Sequence, residues 1–166
     1  MQVFDLTRLR DFETTAIEFE ADTHFTEFGR AHNIVINEDS GYAYVVGTRG
    51  PPYNGGPLFI NIQNPTSPIF EGGYGEGGYS HDAQVLSYNG PDLDYSGKEI
   101  LIGSNEDQVV IVDVTNKSDP VTISSVEYSN IGYTHQGWFT DDLQYFIVGD
   151  ELDEQNIGTN TRTLIF

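Results

Sequence analysis

The chain has no cysteine and few basic residues, and both shortages restrict what it can be. It carries seven Lys and Arg against 26 Asp and Glu in 166 residues, which gives a formal charge of −19 at pH 7. Nucleic acid and anionic membrane surfaces are bound through Lys and Arg, so neither is an expected partner. A surface this acidic attracts cations instead. Without cysteine there is no disulfide bond, which is compatible with any compartment.

Long hydrophobic runs are also missing. No segment approaches the roughly 18 consecutive apolar residues of a membrane-spanning helix, so membrane insertion is not expected. The chain is instead rich in aromatic and turn-forming residues, with 10 Tyr, 10 Phe, 18 Gly and seven Pro. Aromatic residues favour strands, and Gly and Pro favour the tight turns between them. The composition therefore predicts an all-β protein of short strands.

Two patterns recur along the chain with a common period. An apolar strand that closes on a polar residue occurs three times, at Val3–Thr7, Phe59–Gln63 and Val110–Thr115. Half a repeat away, a histidine recurs at positions that are 49 and 54 residues apart: His32, His81 and His135. A period of about 50 residues is typical of a β-propeller blade, which has four strands.

We therefore predict an incomplete propeller of about three four-stranded blades in a single domain. The units are expected at residues 1–30 (partial), 31–79, 80–133 and 134–166 (partial), with inner strands at Ile34–Ile36, Gln84–Tyr88 and Trp138–Phe139. Both ends of the chain interrupt the repeat at the same place, so we expect a fragment of a longer secreted protein. Open blade edges also favour self-association.

Several motifs resemble a known family. Val109–Val114 resembles the short repeat named LVIVD, and the segments His81–Gln84, Tyr133–Trp138 and Gly149–Glu154 look like those of the choice-of-anchor B proteins. The resemblance implies a bacterial extracellular or cell-surface β-propeller, often joined to sorting or anchoring segments. It implies a fold and a location but no activity, because the biochemical role of that family is not defined.

The recurring histidines form the first candidate site. Equivalent positions in successive blades meet around the axis of a propeller, so His32, His81 and His135 are expected to converge on one rim of the channel. Imidazole is the commonest transition-metal ligand near neutral pH, and three of them leave a position open for water or substrate. The alternative is structural, with each ring bonded to the backbone or to the next blade.

Acidic loops give further candidate ligands. The loops after the second strands, which include Ser104–Asp107 and Asp150–Glu154, are expected on the histidine face, and Asp150 and Glu151 are the nearest candidate carboxylates. On the opposite face, Asp92, Asp94 and Ser96 follow the opening of a calcium-binding loop. The bidentate glutamate of such a loop is missing, since position 103 is Gly, and a plain turn is the alternative.

Two functions stay open at this point. The first is a non-catalytic binding or adhesion module that presents its loops to a glycan or a protein. It is favoured because the sequence contains no G-x-S-x-G elbow, no phosphate-binding glycine loop and no cysteine nucleophile. The alternative is a metal-dependent oxidase or hydrolase with a divalent metal, either a transition metal at the histidines or calcium.

Overall fold

The computed structural model describes residues 1–11 and 16–166, and most of its regular structure is antiparallel β-strand. The strands in chain order are β1 (Gln2–Val3), β2 (Thr23–His24), β3 (Asn33–Asn37), β4 (Tyr42–Val46), β5 (Leu58–Asn61), β6 (Ile69–Gly73), β7 (Asp82–Ser87), β8 (Glu99–Ser104), β9 (Val109–Asp113), β10 (Val121–Val126), β11 (Thr134–Phe139), β12 (Phe146–Asp150) and β13 (Thr163–Ile165). The helical segments are two 3-10 helices, Leu6–Asp11 and Leu93–Tyr95, and one α-helical turn, α1 (Asp153–Asn156). The predicted all-β class is confirmed.

The strands form four sheets. The first sheet contains β3–β6 and the second sheet β7–β10, and each is a four-stranded antiparallel meander in chain order. The third sheet contains β11–β13, and β1 pairs with β2 in a two-stranded N-terminal sheet. Each predicted whole unit, residues 31–79 and 80–133, thus contains one four-stranded meander.

Consecutive sheets pack face to face through three apolar clusters. One cluster joins the first and second sheets, with Tyr44 and Phe59 against Leu101 and Val112. A second cluster joins the second and third sheets through side chains that include Ile102, Phe146 and Val148. A third cluster joins the first sheet to the N-terminal segment and includes Phe25, Val45 and Ile60.

The middle strands are buried on both faces, which explains their unbroken apolar sequence. Successive side chains of a strand point to opposite faces of the sheet. In β4, Tyr44 packs toward the second sheet while Val45 packs toward the N-terminal segment, and the two side chains are 0% and 1% exposed. When a sheet is covered by other structure on both faces, its middle strands have no side that faces solvent. Their sequence therefore does not alternate between apolar and polar residues.

A buried carboxylate, Glu99, joins the first sheet to the second at the end opposite the histidines. The Glu99 carboxylate accepts hydrogen bonds from Asn37 Nδ2 at 2.7 Å, Ser40 Oγ at 2.6 Å and Lys117 Nζ at 2.6 Å. Burial alone would raise the pKa of Glu99, but these donors outweigh it and hold the pKa below its usual range. Asn37 and Ser40 belong to the first unit and Glu99 to the second, so this network spans the sheet interface.

The inner strand of the third sheet is longer than predicted. It begins at Thr134, because Thr134–Gly137 pairs with the end of β12 through the main chain although its side chains are mostly polar. Within the described part of the chain, no helix has the length and apolar character needed to span a membrane.

Candidate functional site

The three recurring histidines meet because the inner strands of the three sheets are neighbours. Strand β7 lies between β3 and β11, and each histidine stands at or next to the start of its strand. The amide of His32 donates to Val46 O, and the amide of His81 donates to Ser104 O, both at 2.9 Å. His135 is positioned differently. The pairing of β11 with β12 shifts register between Thr134 and Gln136, so His135 lies in a β-bulge, a device that re-aims a side chain.

The imidazole rings form a stack, which we call the histidine column. The ring centroids of His32 and His81 are 3.9 Å apart with planes inclined by 33°. Those of His81 and His135 are 4.8 Å apart with an inclination of 41°. The predicted convergence of His32, His81 and His135 is therefore present, and His81 is the central ring.

The surroundings of His81 fix its tautomer. The Tyr133 hydroxyl lies 3.0 Å from His81 Nδ1 and donates its single proton to Glu106 Oε1 at 3.2 Å. We assign the ring proton of His81 to Nδ1, which then donates to the phenol oxygen, because the phenol has one proton and the Glu106 carboxylate can only accept. Nε2 is left with its lone pair free, buried and without a hydrogen-bond partner in the described residues. An unpaired buried acceptor of this kind suits a metal ion or a ligand donor.

The column favours uncharged imidazole at its centre. Burial lowers the pKa of His81, and the neighbouring His32 and His135 lower it further, while Asp82 and Glu151 act in the opposite direction. Burial also raises the pKa of Tyr133, and the Glu106 carboxylate raises it further. The phenol therefore stays protonated and can keep its bond to Glu106.

The two carboxylates predicted beside the histidines have different surroundings. Glu151 Oε2 lies 3.8 Å from His135 Nε2, at the edge of the column. Asp150 is fully buried and accepts from the amides of Gly132 at 3.0 Å and Tyr133 at 2.7 Å. It also accepts from Arg162 Nη2 at 2.7 Å. Asp150 thus anchors the segment that carries Tyr133, and its oxygens already have donors.

Tyr79 and Tyr133, which complete the site, were not predicted as site residues from the sequence, although a signal for them exists. Gly78–His81 and Gly132–His135 share the pattern Gly-Tyr-Ser/Thr-His, so Tyr79 and Tyr133 recur with the histidines. Glu106 belongs to an acidic loop, Ser104–Asp107, that the sequence predicts on the histidine face. It sits in the left-handed region at φ 57°, where its carbonyl accepts from Thr134 N at 2.5 Å. A non-glycine residue in that region is uncommon and is held there by its surroundings.

A polar cavity lies beside the column on the same rim. It has a volume of about 290 Å³ and is lined by Thr48, Arg49, Gly50, Asn54, Tyr79 and Glu106. The Arg49 guanidinium lies over the Tyr79 ring, 5.4 Å from its centroid. The cavity therefore offers a cation, a carboxylate, an amide and an aromatic ring within one small space.

The candidate calcium loop adopts a turn. Asp92 caps the 3-10 helix Leu93–Tyr95, and its Oδ1 accepts from Asp94 N at 3.1 Å. Asp92, Asp94 and Ser96 are all exposed. Among residues 1–11 and 16–166, no group of three or more His, Cys, Asp or Glu side chains is arranged to hold a metal ion. Neighbouring rings in the histidine column are tilted against each other, with planes inclined by 33° and 41°, and a shared ion at about 2.0–2.1 Å from each nitrogen would require the rings to turn.

Comparison with protein-family models gives no match, and a search of the curated proteins gives none either. The likeness to LVIVD-repeat and choice-of-anchor B proteins therefore stays a prediction from the motifs.

Proposed function

We propose that the protein is a non-catalytic binding module of the β-propeller type that binds a glycan at the rim beside the histidine column. The observation that carries this proposal is the cavity of about 290 Å³ in which Arg49, Tyr79 and Glu106 face one space. Sugars are recognised by planar polar side chains that bond their hydroxyl groups and by aromatic rings that cover their apolar faces. Both kinds of group line this cavity.

The charge of Arg49 defines the preferred class of glycan. A guanidinium pairs with a carboxylate through two parallel hydrogen bonds, so a sugar acid would be held more tightly than its neutral counterpart. Asn54, Thr48 and Glu106 would then bond the ring hydroxyls. The high negative charge of the chain, −19, limits how many acidic groups a ligand can bring, and it favours an isolated uronic acid over a polyanion.

The repeated sheets and the family resemblance support the wider setting of this proposal. Face-to-face packing of four-stranded meanders is the packing that propeller blades use, and the motifs resemble those of secreted proteins. We accordingly propose an extracellular or cell-surface location.

Binding of short oligosaccharides with and without one uronic acid tests the function. Calorimetry should detect binding of the acidic sugar, and Arg49→Gln should weaken it by about 1.4 kcal/mol or more, which is tenfold. His24→Ala is the matched control, since His24 is exposed and lies outside the column. Equal binding by Arg49→Gln, or binding of protein ligands with no response to any sugar, would overturn the glycan proposal.

A metal-dependent oxidase or hydrolase is the second candidate, and the free lone pair on His81 Nε2 favours it. A divalent ion would take this nitrogen, and Glu151 beside His135 would supply a carboxylate. Its bound water would then be activated, since metals lower the pKa of water. Metal content after purification without chelator decides this candidate. Stoichiometric zinc, copper or iron that is lost in His81→Ala but kept in His24→Ala would support it, and calcium alone or no metal would end it.

A further inference from the structure

A second and larger cavity lies between residues 27–30 and the loop that joins β4 to β5. It has a volume of about 560 Å³. The side chains that give it its chemical character are Phe28, Arg30, Arg49, Tyr53, Leu58 and Phe70. Pockets of about 300–1,000 Å³ hold small organic ligands, mostly through apolar walls with a few polar groups that fix the orientation. Three aromatic rings, a leucine and two guanidinium groups fit that description.

The two arginines stand apart from most basic residues of this chain. Seven Lys and Arg face 26 Asp and Glu. Ion pairs in the described residues occupy four of the seven: Arg8, Lys98, Lys117 and Arg162. Of the other three, Arg30 and Arg49 both line this cavity, and within residues 1–11 and 16–166 neither has a carboxylate at ion-pair distance. Two such guanidinium groups in so acidic a chain favour an anionic ligand.

The opposing charge in this cavity is small. Glu27 also lines it, but this side chain is exposed, and in the described part of the chain it is paired with neither arginine. The lining therefore carries one more positive than negative charge. A ligand carboxylate can take two parallel hydrogen bonds from a single guanidinium, which gives the anion a defined orientation.

The aromatic wall of the cavity is held in place by the surrounding backbone. The ring centroids of Tyr53 and Phe70 are 6.3 Å apart, with planes inclined by 56°. A Cβ atom at Gly73 would lie 2.9 Å from the Tyr53 ring, so this glycine leaves the space that the ring occupies. The carbonyl of Tyr53 accepts from Gly56 N at 2.9 Å. Little ordering is then needed when a ligand binds, which reduces the cost of binding.

We propose that this cavity binds an aromatic carboxylate. The acid group would bond to Arg30 and Arg49, and the ligand ring would pack against Phe28, Tyr53 and Phe70. Aromatic rings pack favourably against one another in edge-to-face or offset contacts. A cavity of about 150 Å³ accommodates benzene, so about 560 Å³ has room for a ligand of one or two rings with its acid group.

This site adjoins the proposed sugar cavity but is distinct from it. Thr48, Arg49 and Gly50 border both cavities, whereas Arg30 lines the larger one and not the smaller. Substitution of Arg30 therefore separates the two sites. Binding of an aromatic acid also does not require that any sugar binds, so the two proposals can fail independently.

Calorimetry with 2-naphthoate tests the class of ligand. The protein should bind 2-naphthoate, and it should bind two partial analogues at least about tenfold more weakly. The first analogue is 2-naphthamide, which keeps the rings and lacks the charge. The second is octanoate, which keeps the charge and lacks the rings. Absence of 2-naphthoate binding, or equal binding of either analogue, would overturn the proposal.

Two matched variants test the location. Arg30→Gln should weaken 2-naphthoate binding at least about tenfold and leave the affinity for an acidic sugar unchanged. Arg10→Gln removes the same charge at an exposed residue that does not line the cavity, and it should change neither affinity. Equal 2-naphthoate binding by Arg30→Gln and the native protein, or an equal loss in Arg10→Gln, would show that the acid does not bind here.

Discussion

Tyr133 reaches from the segment before the third sheet to the histidine of the second sheet, with its hydroxyl 3.0 Å from His81 Nδ1. The same hydroxyl donates to Glu106, which lies between the second and third sheets. One phenol therefore sets the tautomer of the central histidine and leaves its Nε2 free. The availability of Nε2 thus depends on Tyr133, which contacts the ring at Nδ1.

Replacing the Tyr133 phenol should allow His81 to adopt its other neutral tautomer. In Tyr133→Phe the Nδ1 proton of His81 loses its acceptor, and we expect the Nε2–H form to become populated. Loss of the bond should lower the free energy of unfolding by about 0.5–1.5 kcal/mol. Nitrogen-15 NMR of the imidazoles measures the tautomer, and Tyr145→Phe, at an exposed side chain, should change neither quantity. An unchanged His81 spectrum in Tyr133→Phe would contradict the assignment.

The histidine column should make stability depend on pH in a defined direction. Burial and the neighbouring imidazoles lower the pKa of His81 below its ordinary value of 6.5. The unfolded chain then binds the proton more tightly than the folded one. The contribution of His81 is complete above pH 6.5 and is lost as the pH falls through the lower, folded pKa.

Thermal melts in steps from about pH 7 to pH 5, the range in which histidine titrates, check this expectation. Asp82 and Glu151 raise the pKa of His81 and so reduce the lowering caused by burial and the other two histidines. The Tyr133 hydroxyl, which is bonded to Glu106, contacts the His81 ring at Nδ1. The melting temperature of the native protein should fall more steeply with acid than that of His81→Gln. Parallel curves for the two proteins would show that the column does not resist protonation.

The ion pair at the other end of the sheets should be costly to break. Lys117 Nζ and Glu99 Oε2 are 2.6 Å apart, with side chains only 10% and 8% exposed. Lys117→Met leaves a buried carboxylate without its cation, so we expect a loss of about 3–5 kcal/mol in the free energy of unfolding. Urea denaturation measures it. The control is Lys98→Met, which removes a more exposed pair with Asp113 and should cost far less.

The Glu99 carboxylate should also make the stability of the protein depend on pH in the acid range. Because the pKa of Glu99 is held below its ordinary value of 4.5, its contribution to stability is present above that pH and disappears as the pH falls through the folded pKa. Lys117→Met should move this loss to higher pH. If the acid transition of Lys117→Met coincides with that of the native protein, the donors to Glu99 do not act as described.

Asp150 should be needed for stability rather than for binding. Asp150→Asn keeps the size of the side chain but removes the charge that faces Arg162 at 2.7 Å. We expect a lower melting temperature, together with unchanged sugar affinity and metal content measured per folded molecule. A selective loss of metal at unchanged stability would instead restore Asp150 as a ligand.

Most strands could be predicted from the sequence because they are apolar runs bounded by turn residues. Ile34–Ile36, for example, was predicted as an inner strand and lies within β3 (Asn33–Asn37). The start of β11 could not, since Thr134–Gly137 is polar and pairs only through its main chain. Local pattern therefore fails where backbone hydrogen bonds alone extend a strand.

The candidate site was predictable in part. The repeat brings His32, His81 and His135 together, and Glu151 lies beside them. The structural role of Asp150 could not be predicted from the sequence. It depends on a bond to Arg162, which lies twelve residues later along the chain, just before strand β13. Ring stacking likewise depends on side-chain rotation and on the bulge at His135, and neither leaves a mark in the sequence.

The second sheet is tied to its neighbours at both ends, and at the histidine end Asp82 also accepts from Asn33 Nδ2 of the first sheet at 2.9 Å. Glu99 binds the first sheet at one end, and His81 contacts Tyr133 of the third-sheet segment at the other. A pulling force that slides one sheet along the next would have to break these hydrogen bonds. For a protein proposed to work at a cell surface, we expect these polar contacts at both ends of the second sheet to resist mechanical shear between the sheets.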